Sequence, residues 1–341
     1  MAIGDSGTAM DFVLTDEQRQ LQQSAAELVE RAAGSADPHS HKVAAEAGWL
    51  SPLTACSVAA YAIGIGRAVT VREATLEELV AGNRIIVPAL QDPAIPEEEQ
   101  ERIAAMPFHY GYQLSGRRSQ VPFAAEADAF LIDARTSDGS IMVTIPADIH
   151  GVEISEAETV DGVRYGTVNF SDASMMSDEW LIAGVKQGET LTAASYDRLL
   201  LGTSAEILGL MDRVSGDCSA ENRAQIEQLR SLLYETCVAF DAKRGTRSMA
   251  ADVKAQASEI VLNVAKSVVQ MQAAPGAPGD VDAGLFLQRA AALSGFYGNA
   301  ALHRERHARL LESEAATAEG TTRRRRRPRR KKSIFAKAVS R

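Results

Sequence analysis

Two histidines near the C-terminus have a spacing that suits metal binding. His303 and His307 are four residues apart, which places both rings on one side of a helix, as in many zinc sites. Such a site also needs a third ligand, and the neighbouring sequence offers none. It contains Arg304, Arg306 and Arg309 instead, whose positive charges oppose a bound cation. The sequence therefore predicts no metal at this pair.

An arginine-rich run is the second chemically suggestive feature. Residues 321–341 hold eleven of the chain's 36 Lys and Arg and no acid, so residues 1–320 carry 25 bases against 45 acids, a net charge of −20. The densest part is residues 323–332. Like charges at this density repel one another and cannot share a core, so we expect a solvated, disordered tail.

Several roles for this tail remain open. The run can neutralise phosphates, which would give a salt-dependent and sequence-independent affinity for nucleic acid. No aromatic residue lies within it to stack on bases, and the acidic body opposes an approaching duplex. The apolar residues that follow, among them Ile334, Phe335 and Val339, fit a short amphipathic helix on an anionic membrane or on the acidic surface of a partner subunit. A plain solvated extension is an equally good interpretation.

Composition excludes several classes of protein. The chain has 341 residues, of which 45% are hydrophobic, so it can bury a large core and form two or three domains. Cys56, Cys218 and Cys237 are an odd number without metal-ligand spacing, which predicts buried thiols and no disulfide framework. No uncharged apolar run reaches the roughly 18 residues of a membrane-spanning helix. The N-terminus lacks the features of a secretory signal, so we expect a cytoplasmic protein.

Hydrophobic periodicity divides the chain into four parts, and an α+β multidomain fold is expected. Residues 10–83 have helical spacing and predict an N-terminal helical domain. Residues 84–180 alternate short β-branched runs with turn residues, which predicts a middle antiparallel β-barrel or sandwich. Residues 181–312 return to helical stripes and predict a C-terminal four-helix bundle, whose fourth helix spans residues 285–311. Residues 313–341 form the predicted disordered basic tail.

Five strings of sequence, in order along the chain, resemble segments of the acyl-CoA dehydrogenase family. They are MDFVLTDEQ at 10–18, AGWL at 47–50, YQLSGRRSQVPFAAEAD at 112–128, YDRLLLG at 196–202 and AALHRERH at 300–307. The resemblance implies FAD bound at a subunit interface and removal of two hydrogens across the α,β bond of an acyl-CoA thioester. A glutamate takes the α proton in this chemistry, which requires a desolvated carboxylate and hydrogen-bond donors at the thioester oxygen.

The resemblance also implies two positions for the catalytic base. The family places its glutamate either in the loop before the last helix, where Asp280 aligns, or at the start of the first C-terminal helix, where Asp197 aligns. Either aspartate is one methylene short, which withdraws the carboxylate by about 1.5 Å. Misplacement on this scale can cost around a hundredfold in rate. Aspartate is also common in turns and in the first turn of a helix, so a purely structural role for each stays open.

Cofactor contacts implied by the resemblance have changed at five positions: Gln91, Gln120, Pro122, Ala273 and Ala274. Pro122 replaces a threonine beside the flavin and offers neither a hydroxyl nor an N–H group. Gln91 and Gln120 replace a threonine and an aromatic residue, and the two alanines replace paired glycines. Three acids at residues 97–99 would repel a pyrophosphate. We therefore expect the chain to hold FAD poorly by itself.

A functional prediction follows from the resemblance. The N-terminal helical domain is shorter than the family's usual length implies, which should open the acyl pocket. Short subunits that lack flavin motifs occur within the family in heteromeric enzymes acting on bulky steroid side-chain thioesters. We expect a subunit of such a hetero-oligomer, with a full-length FAD-binding partner and with FAD either held at the interface or lost. The alternatives are an inactive scaffold and a protein that binds nucleic acid or an anionic surface through residues 323–332.

Overall fold

The structure of the chain is a computed structural model. It describes residues 84–92, 101–158, 164–175, 180–215, 218–273 and 282–326, together with five single positions before residue 84. The predicted N-terminal helical domain, residues 10–83, lies almost entirely outside the described residues. Ala274 and Asp280 also lie outside them.

Eight strands form one sheet. They are β1 (Ile86–Ala89), β2 (Ile103–Phe108), β3 (Gly111–Pro122), β4 (Ala129–Thr136), β5 (Gly139–Pro146), β6 (Val152–Glu158), β7 (Arg164–Met175) and β8 (Leu181–Ala183). The order across the sheet is β6-β7-β3-β2-β4-β5-β8, and β1 pairs with β4. One apolar core lies on the sheet and includes Phe130, Ile132 and Ile141, all fully buried.

The predicted antiparallel barrel or sandwich is wrong in two respects. The sheet is mixed, because β1 runs parallel to β4 from Ile86 opposite Ala129 and β2 runs parallel to β4 at Ala104 opposite Arg135. The sheet is also open, with β6 and β8 at its two ends. The turn signals did identify antiparallel neighbours such as β4 and β5, which pair from Ala129 to Thr136. They carry no information on strands that are distant in sequence, and both parallel pairs are of that kind.

Five helices follow the sheet in the described chain: α1 (Val185–Asp212), α2 (Ala220–Asp241), α3 (Arg247–Gln272), α4 (Ala283–Gly295) and α5 (Ala300–Arg326). Side chains cap four of their N-termini, since Ser219, Thr246, Asp282 and Asn299 each accept a hydrogen bond from a backbone N–H three residues on. The apolar stripes of α1 to α4 meet in a second core. The helical region is therefore a packed unit whose main stabilisation is burial of these stripes.

The structure corrects the predicted fourth helix and the start of the tail. Residues 285–311 belong to two helices, separated by a tight turn in which Tyr297 and Gly298 have φ angles of 54° and 105°. The apolar spacing of α4 continues in α5 with the same helical phase, so the sequence pattern did not show the turn between them. Gly298 alone was too weak a signal to predict that the helix ends there. α5 then runs on to Arg326, so residues 313–326 are helical and not disordered. Alanine and glutamate between residues 312 and 319 favour the helix.

Helix α1 joins the two halves of the molecule. Its Gly188 lies so close to β5 that an added Cβ would be 2.1 Å from the carbonyl oxygen of Ser140. Leu199 and Leu200 pack into a core shared with Met142 of β5. The start of α1 is therefore held firmly against the sheet. None of the helices in the described residues is long and apolar enough to cross a membrane.

Candidate functional site

A buried ion-pair network connects Asp197 with two distant parts of the chain. Asp197 lies in the fourth turn of α1, and its Oδ1 accepts a hydrogen bond of 2.7 Å from Nη2 of Arg306 on α5. Nε of the same guanidinium is 3.2 Å from Oδ2 of Asp92, which follows β1. All three side chains are at most 3% exposed. Arg306 thus links the end of β1, the middle of α1 and helix α5.

Burial and neighbouring charges shift the pKa values of Asp197 and Arg306 in opposite directions. Burial raises the pKa of Asp197, and Arg306 opposes that shift without cancelling it. Burial lowers the pKa of Arg306, but the carboxylates of Asp92 and Asp197 outweigh burial and raise it overall. Protonating Asp92 or Asp197 would remove a negative charge that balances the buried guanidinium of Arg306. A charge left unbalanced without access to water is energetically costly. Asp197 is therefore a poor proton acceptor for any external substrate.

Three hydrogen-bond donors and acceptors meet at the turn before α5. The Tyr196 hydroxyl donates to the Tyr297 carbonyl oxygen over 2.9 Å, and Nε2 of His303 lies 2.8 Å from the same oxygen. Because a carbonyl only accepts, the His303 proton is on Nε2. The aromatic rings of Phe296 and Tyr297 are 4.2 Å apart, and Tyr297 also makes an edge contact with Tyr196. The turn is thus attached to the middle of α1.

Lys254 of α3 holds the same turn from the other side. Its Nζ lies 3.4, 3.3 and 3.2 Å from the carbonyl oxygens of Leu293, Ser294 and Gly298, and it also donates to Ser258 over 2.8 Å. A cation at the C-terminal end of α4 is favoured by the helix dipole. Burial lowers the pKa of Lys254 to about 7. A lysine next to a serine can activate a nucleophile, but Lys254 and Ser258 are no more than 1% exposed, so no substrate reaches them.

The two histidines of the i, i+4 pair, His303 and His307, bond to different backbone carbonyls. Nε2 of His303 bonds to the Tyr297 carbonyl, whereas Nδ1 of His307 lies 2.8 Å from the Ser248 carbonyl on α3. Burial first, and then the charge of Lys254, lower the pKa of His303 to about 3. This histidine is therefore neutral across the physiological range. Both rings fix α5 to its neighbours.

The first of the expected cofactor positions is occupied by internal contacts. The backbone N–H of Gln91 donates to Oδ1 of Asp133 over 2.8 Å, and its side-chain oxygen accepts from Nη1 of Arg118 over 2.6 Å. Arg118 is itself buried and also donates to the carbonyls of Ala89 and Glu101. Gln91 therefore serves to join β1 to the centre of the sheet.

The end of β3 presents a carboxylate where the resemblance places flavin contacts. Both oxygens of Glu101 are engaged by Ser119, which donates its N–H over 2.7 Å and its hydroxyl over 2.5 Å. The next residue, Gln120, is exposed, has a φ of 54° and lies in an irregularity of the β3–β7 pairing. Pro122 is buried. Ala273 is exposed just after α3, far along the chain from this strand.

Comparison with known proteins finds a family for part of the chain. Residues 214–311 match the sequence family described as acyl-CoA dehydrogenase, C-terminal domain. Over this stretch, which is less than a third of its length, the chain is similar to acyl-CoA dehydrogenases. A curated relative, the acyl-CoA dehydrogenase FadE27 of Mycobacterium tuberculosis, is 30% identical over 96 residues, which are 28% of this chain and only a quarter of the relative's length.

Two solved structures show that the likeness in fold extends over most of the chain. Butyryl-CoA dehydrogenase of Megasphaera elsdenii superposes with a TM-score of 0.73 at 18% identity, covering 89% of this chain and all of that one. The ChsE4-ChsE5 complex of Mycobacterium tuberculosis gives 0.65 at 18% identity, with 89% and 99% coverage. The mixed sheet followed by helices is therefore the acyl-CoA dehydrogenase fold.

The structure describes one of the two base positions that the resemblance implies. Asp197 lies near the middle of α1, whereas Asp280 is outside the described residues. The turn before α5, residues 296–299, lies beside Asp197 because the Tyr196 hydroxyl donates to the Tyr297 carbonyl. Burial first, and then the nearby Tyr165 and Glu206, raise the pKa of the Tyr297 hydroxyl, so it stays protonated near neutral pH. The turn carries no carboxylate, and that of Asp197 is paired with Arg306.

The described cofactor positions do not fit a resident flavin. FAD carries a pyrophosphate and a ring that needs hydrogen-bond donors, yet the N–H groups of Gln91 and Ser119 are already used and Pro122 has none. The carboxylate of Glu101 at the same strand end accepts from Ser119 and pairs with Arg117, whose Nε lies 3.4 Å from its Oε1. Family members bind FAD, but this part of the chain supplies few of the donors that binding requires.

Sequence reasoning missed Lys254, Tyr297 and Arg306. A signal was present in the helical phase, because Lys254 and Arg306 fall on the apolar or small-residue side of their helices, where a charged side chain must be buried and paired. Charged residues in such a position identify internal networks, and here they mark the contacts between α1, α3 and α5.

Proposed function

We propose that this chain is the cofactor-poor subunit of a heteromeric acyl-CoA dehydrogenase whose full-length partner supplies FAD. The observation that carries the proposal is the end of β3, where the Glu101 carboxylate takes the N–H and hydroxyl of Ser119 and Pro122 removes a further donor. A strand end satisfied in this way has little to offer an anionic dinucleotide. The fold and the family remain those of an acyl-CoA dehydrogenase, which favours assembly with a homologue. The ChsE4-ChsE5 complex is a precedent for two such chains together.

The reaction proposed for the assembly is α,β-dehydrogenation of an acyl-CoA thioester. FAD, when bound, accepts a hydride, and a carboxylate must remove the α proton. Asp197 is committed to Arg306 and is assigned a positioning role, since it holds α1 against α5. Asp280 remains our candidate base if this chain contributes one. The resemblance to heteromeric enzymes that act on steroid side-chain thioesters is the basis for proposing a bulky acyl group such as a steroid side chain.

Co-expression with a full-length homologue tests the proposal. The chain alone, and the chain with its partner, are purified by size exclusion, and bound flavin is measured by absorbance near 450 nm per polypeptide. We expect no flavin with the chain alone and FAD in a complex that contains both polypeptides. A homo-oligomer of this chain that carries stoichiometric FAD would refute the proposal.

Two substitutions in the reconstituted complex separate a catalytic subunit from a scaffold. Asp280→Asn should abolish turnover if this chain supplies the base. Asp197→Asn keeps the shape of the side chain and should lower the stability of the complex more than its turnover. Full activity in both variants would leave this chain as a structural partner only.

A further inference from the structure

A groove of about 390 Å³ lies between α2, α3 and the start of α5. The α3 side is a single helical stripe that runs from Asp252 to Asn263. Gln225 and Gln228 of α2 and Arg304 of α5 complete the lining. The volume falls within the range of small-molecule sites. The groove shares no lining residue with the candidate site described above.

The α3 stripe combines carboxylates with an apolar floor. Asp252 and Glu259 are seven residues apart, so they lie on the same side of the helix and are separated by about 10.5 Å along its axis. Ala255 and Ile260 also line the groove, and both are buried. An aliphatic chain lying along α3 would therefore cover apolar side chains and reach a carboxylate at either end.

The charges in the groove are incompletely balanced. Glu259 forms an ion pair with Arg304, whose side chain is 65% exposed, so water weakens the pair. Asp252 accepts a hydrogen bond of 3.1 Å from Nε2 of Gln256, a neutral donor that leaves the negative charge in place. Two acids and one base give the lining a net charge of −1. The groove therefore favours a cationic ligand.

One buried acceptor in the lining also has no partner. Oε1 of Gln225 is buried and accepts no hydrogen bond within the described part of the chain. An unpaired buried acceptor costs free energy, which an N–H donor in the groove would offset. A metal ion does not suit the site, because one ion cannot bridge carboxylates two helical turns apart. The described residues also contain no group of three or more His, Cys, Asp or Glu that could hold one.

We propose that this groove binds a linear aliphatic polyamine in an extended conformation. One ammonium group pairs with Asp252, a second competes with Arg304 for Glu259, and the methylene groups between them cover Ala255 and Ile260. A chain of nine bonds, as in diaminooctane, spans about 11 Å when extended and so matches the separation of the carboxylates. Primary amines are protonated at pH 7, as lysine is. Binding does not depend on the proposed dehydrogenase assembly, since it uses no residue of the sheet or of the turn before α5.

Isothermal titration calorimetry of the full chain with three amines at pH 7 and low salt tests this. Diaminooctane has two charges at the required separation, octylamine has the same chain with one charge, and diaminobutane has two charges on a chain too short to reach both carboxylates. We expect diaminooctane to bind about fivefold more tightly than either of the others, which corresponds to one exposed ion pair. Added KCl should weaken its binding by screening.

Three variants give the matched comparisons. Asp252→Asn should lower the affinity for diaminooctane to that for octylamine. Arg304→Gln should instead raise it about fivefold, because the competing guanidinium is gone. Glu235→Gln removes an exposed acid of α2 outside the groove and should bind like the unchanged chain. Equal affinities of the unchanged chain for diaminooctane and octylamine, equal losses in Asp252→Asn and Glu235→Gln, or weaker binding by Arg304→Gln would each overturn the proposal.

Discussion

The hydroxyl of Tyr196 donates to the backbone carbonyl of Tyr297, 101 residues away in sequence, over 2.9 Å. This one hydrogen bond joins the middle of the first C-terminal helix, α1, to the turn before the last one, α5. The neighbouring Asp197 is paired with Arg306, and the turn carries no carboxylate. The contact therefore holds α1 and α5 together and presents no free base for proton abstraction.

Removal of the buried guanidinium should destabilise the fold strongly. Arg306→Met leaves the carboxylates of Asp92 and Asp197 buried without their shared partner, and breaking a buried pair in this way costs about 3–5 kcal/mol. Urea denaturation at pH 7 measures the loss. The matched control is Arg304→Met on the same helix, whose ion pair with Glu259 is exposed and should contribute no more than about 1 kcal/mol. Equal effects of the two substitutions would contradict a structural role for the buried network.

Acid should weaken the fold through His303. Its pKa is lowered to about 3 by burial, whereas the unfolded chain takes up the proton near pH 6.5. The unfolded state therefore binds more protons between pH 6.5 and 3, so stability is lost on acidification, by up to about 1.4 kcal/mol per pH unit. Asp197 acts in the opposite sense because burial raises its pKa.

The variant His303→Gln isolates this term, because it keeps a donor for the Tyr297 carbonyl and leaves Asp197 in place. Free energies of unfolding from urea titrations at pH 4, 5, 6 and 7 should fall less steeply towards acid in the variant than in the unchanged chain. Parallel curves for the two proteins would show that His303 is not the responsible group.

Lys254 predicts a dependence on pH in the alkaline range. Its folded pKa of about 7 lies below the usual 10.5, again because of burial. The unfolded chain holds more protons between those two values, so the free energy of unfolding should rise as pH increases from 7 to 10.5. Lys254→Met should remove the rise, whereas Lys266→Met, an exposed lysine on the same helix, should retain it. Thermal unfolding at pH 7, 8, 9 and 10 measures the difference.

Two glycines of α1 should respond oppositely to alanine. At Gly188 the new methyl group would lie 2.1 Å from the Ser140 carbonyl, an overlap that should cost about 1–3 kcal/mol as α1 is pushed off β5. At Gly209 there is nothing within 4 Å of the added Cβ, so the helix should gain about 0.5–1 kcal/mol. Melting temperatures of the two variants should therefore move in opposite directions. A loss at both positions would mean that the close packing of α1 on the sheet is not what Gly188 provides.

The sequence was sufficient for features that depend on neighbours in the chain. Apolar stripes predicted α1, α2 and α3, and the turn residues between short β-branched runs predicted antiparallel neighbours such as β4 and β5. It was insufficient where distant residues decide the outcome. No local sequence signal predicts that β1 and β2 pair in parallel with β4. The turn at Tyr297 is held by Tyr196 of α1, Lys254 of α3 and His303 of α5, which the sequence near the turn does not show.

In the candidate site, too, properties of a single residue could be predicted from the sequence, whereas contacts between distant residues could not. Pro122 was recognisable from sequence as a lost donor because proline lacks an N–H group whatever its surroundings. The use of the Ser119 N–H by Glu101 was not, since it depends on two strands meeting side by side. Asp197 was found by position, but its commitment to Arg306 required the packing of α5 on α1.

Strand β4 has a consequence for how the chain acquires its shape. It bonds with β1, β2 and β5, and its pairing with β1 closes a loop of 43 residues, the separation also seen between Ile85 and Asp128. Newly synthesised β1 and β2 therefore keep backbone N–H and C=O groups unpaired until β4 has left the ribosome. High contact order of this kind slows folding, so this stage of synthesis is where the polypeptide most needs protection from aggregation.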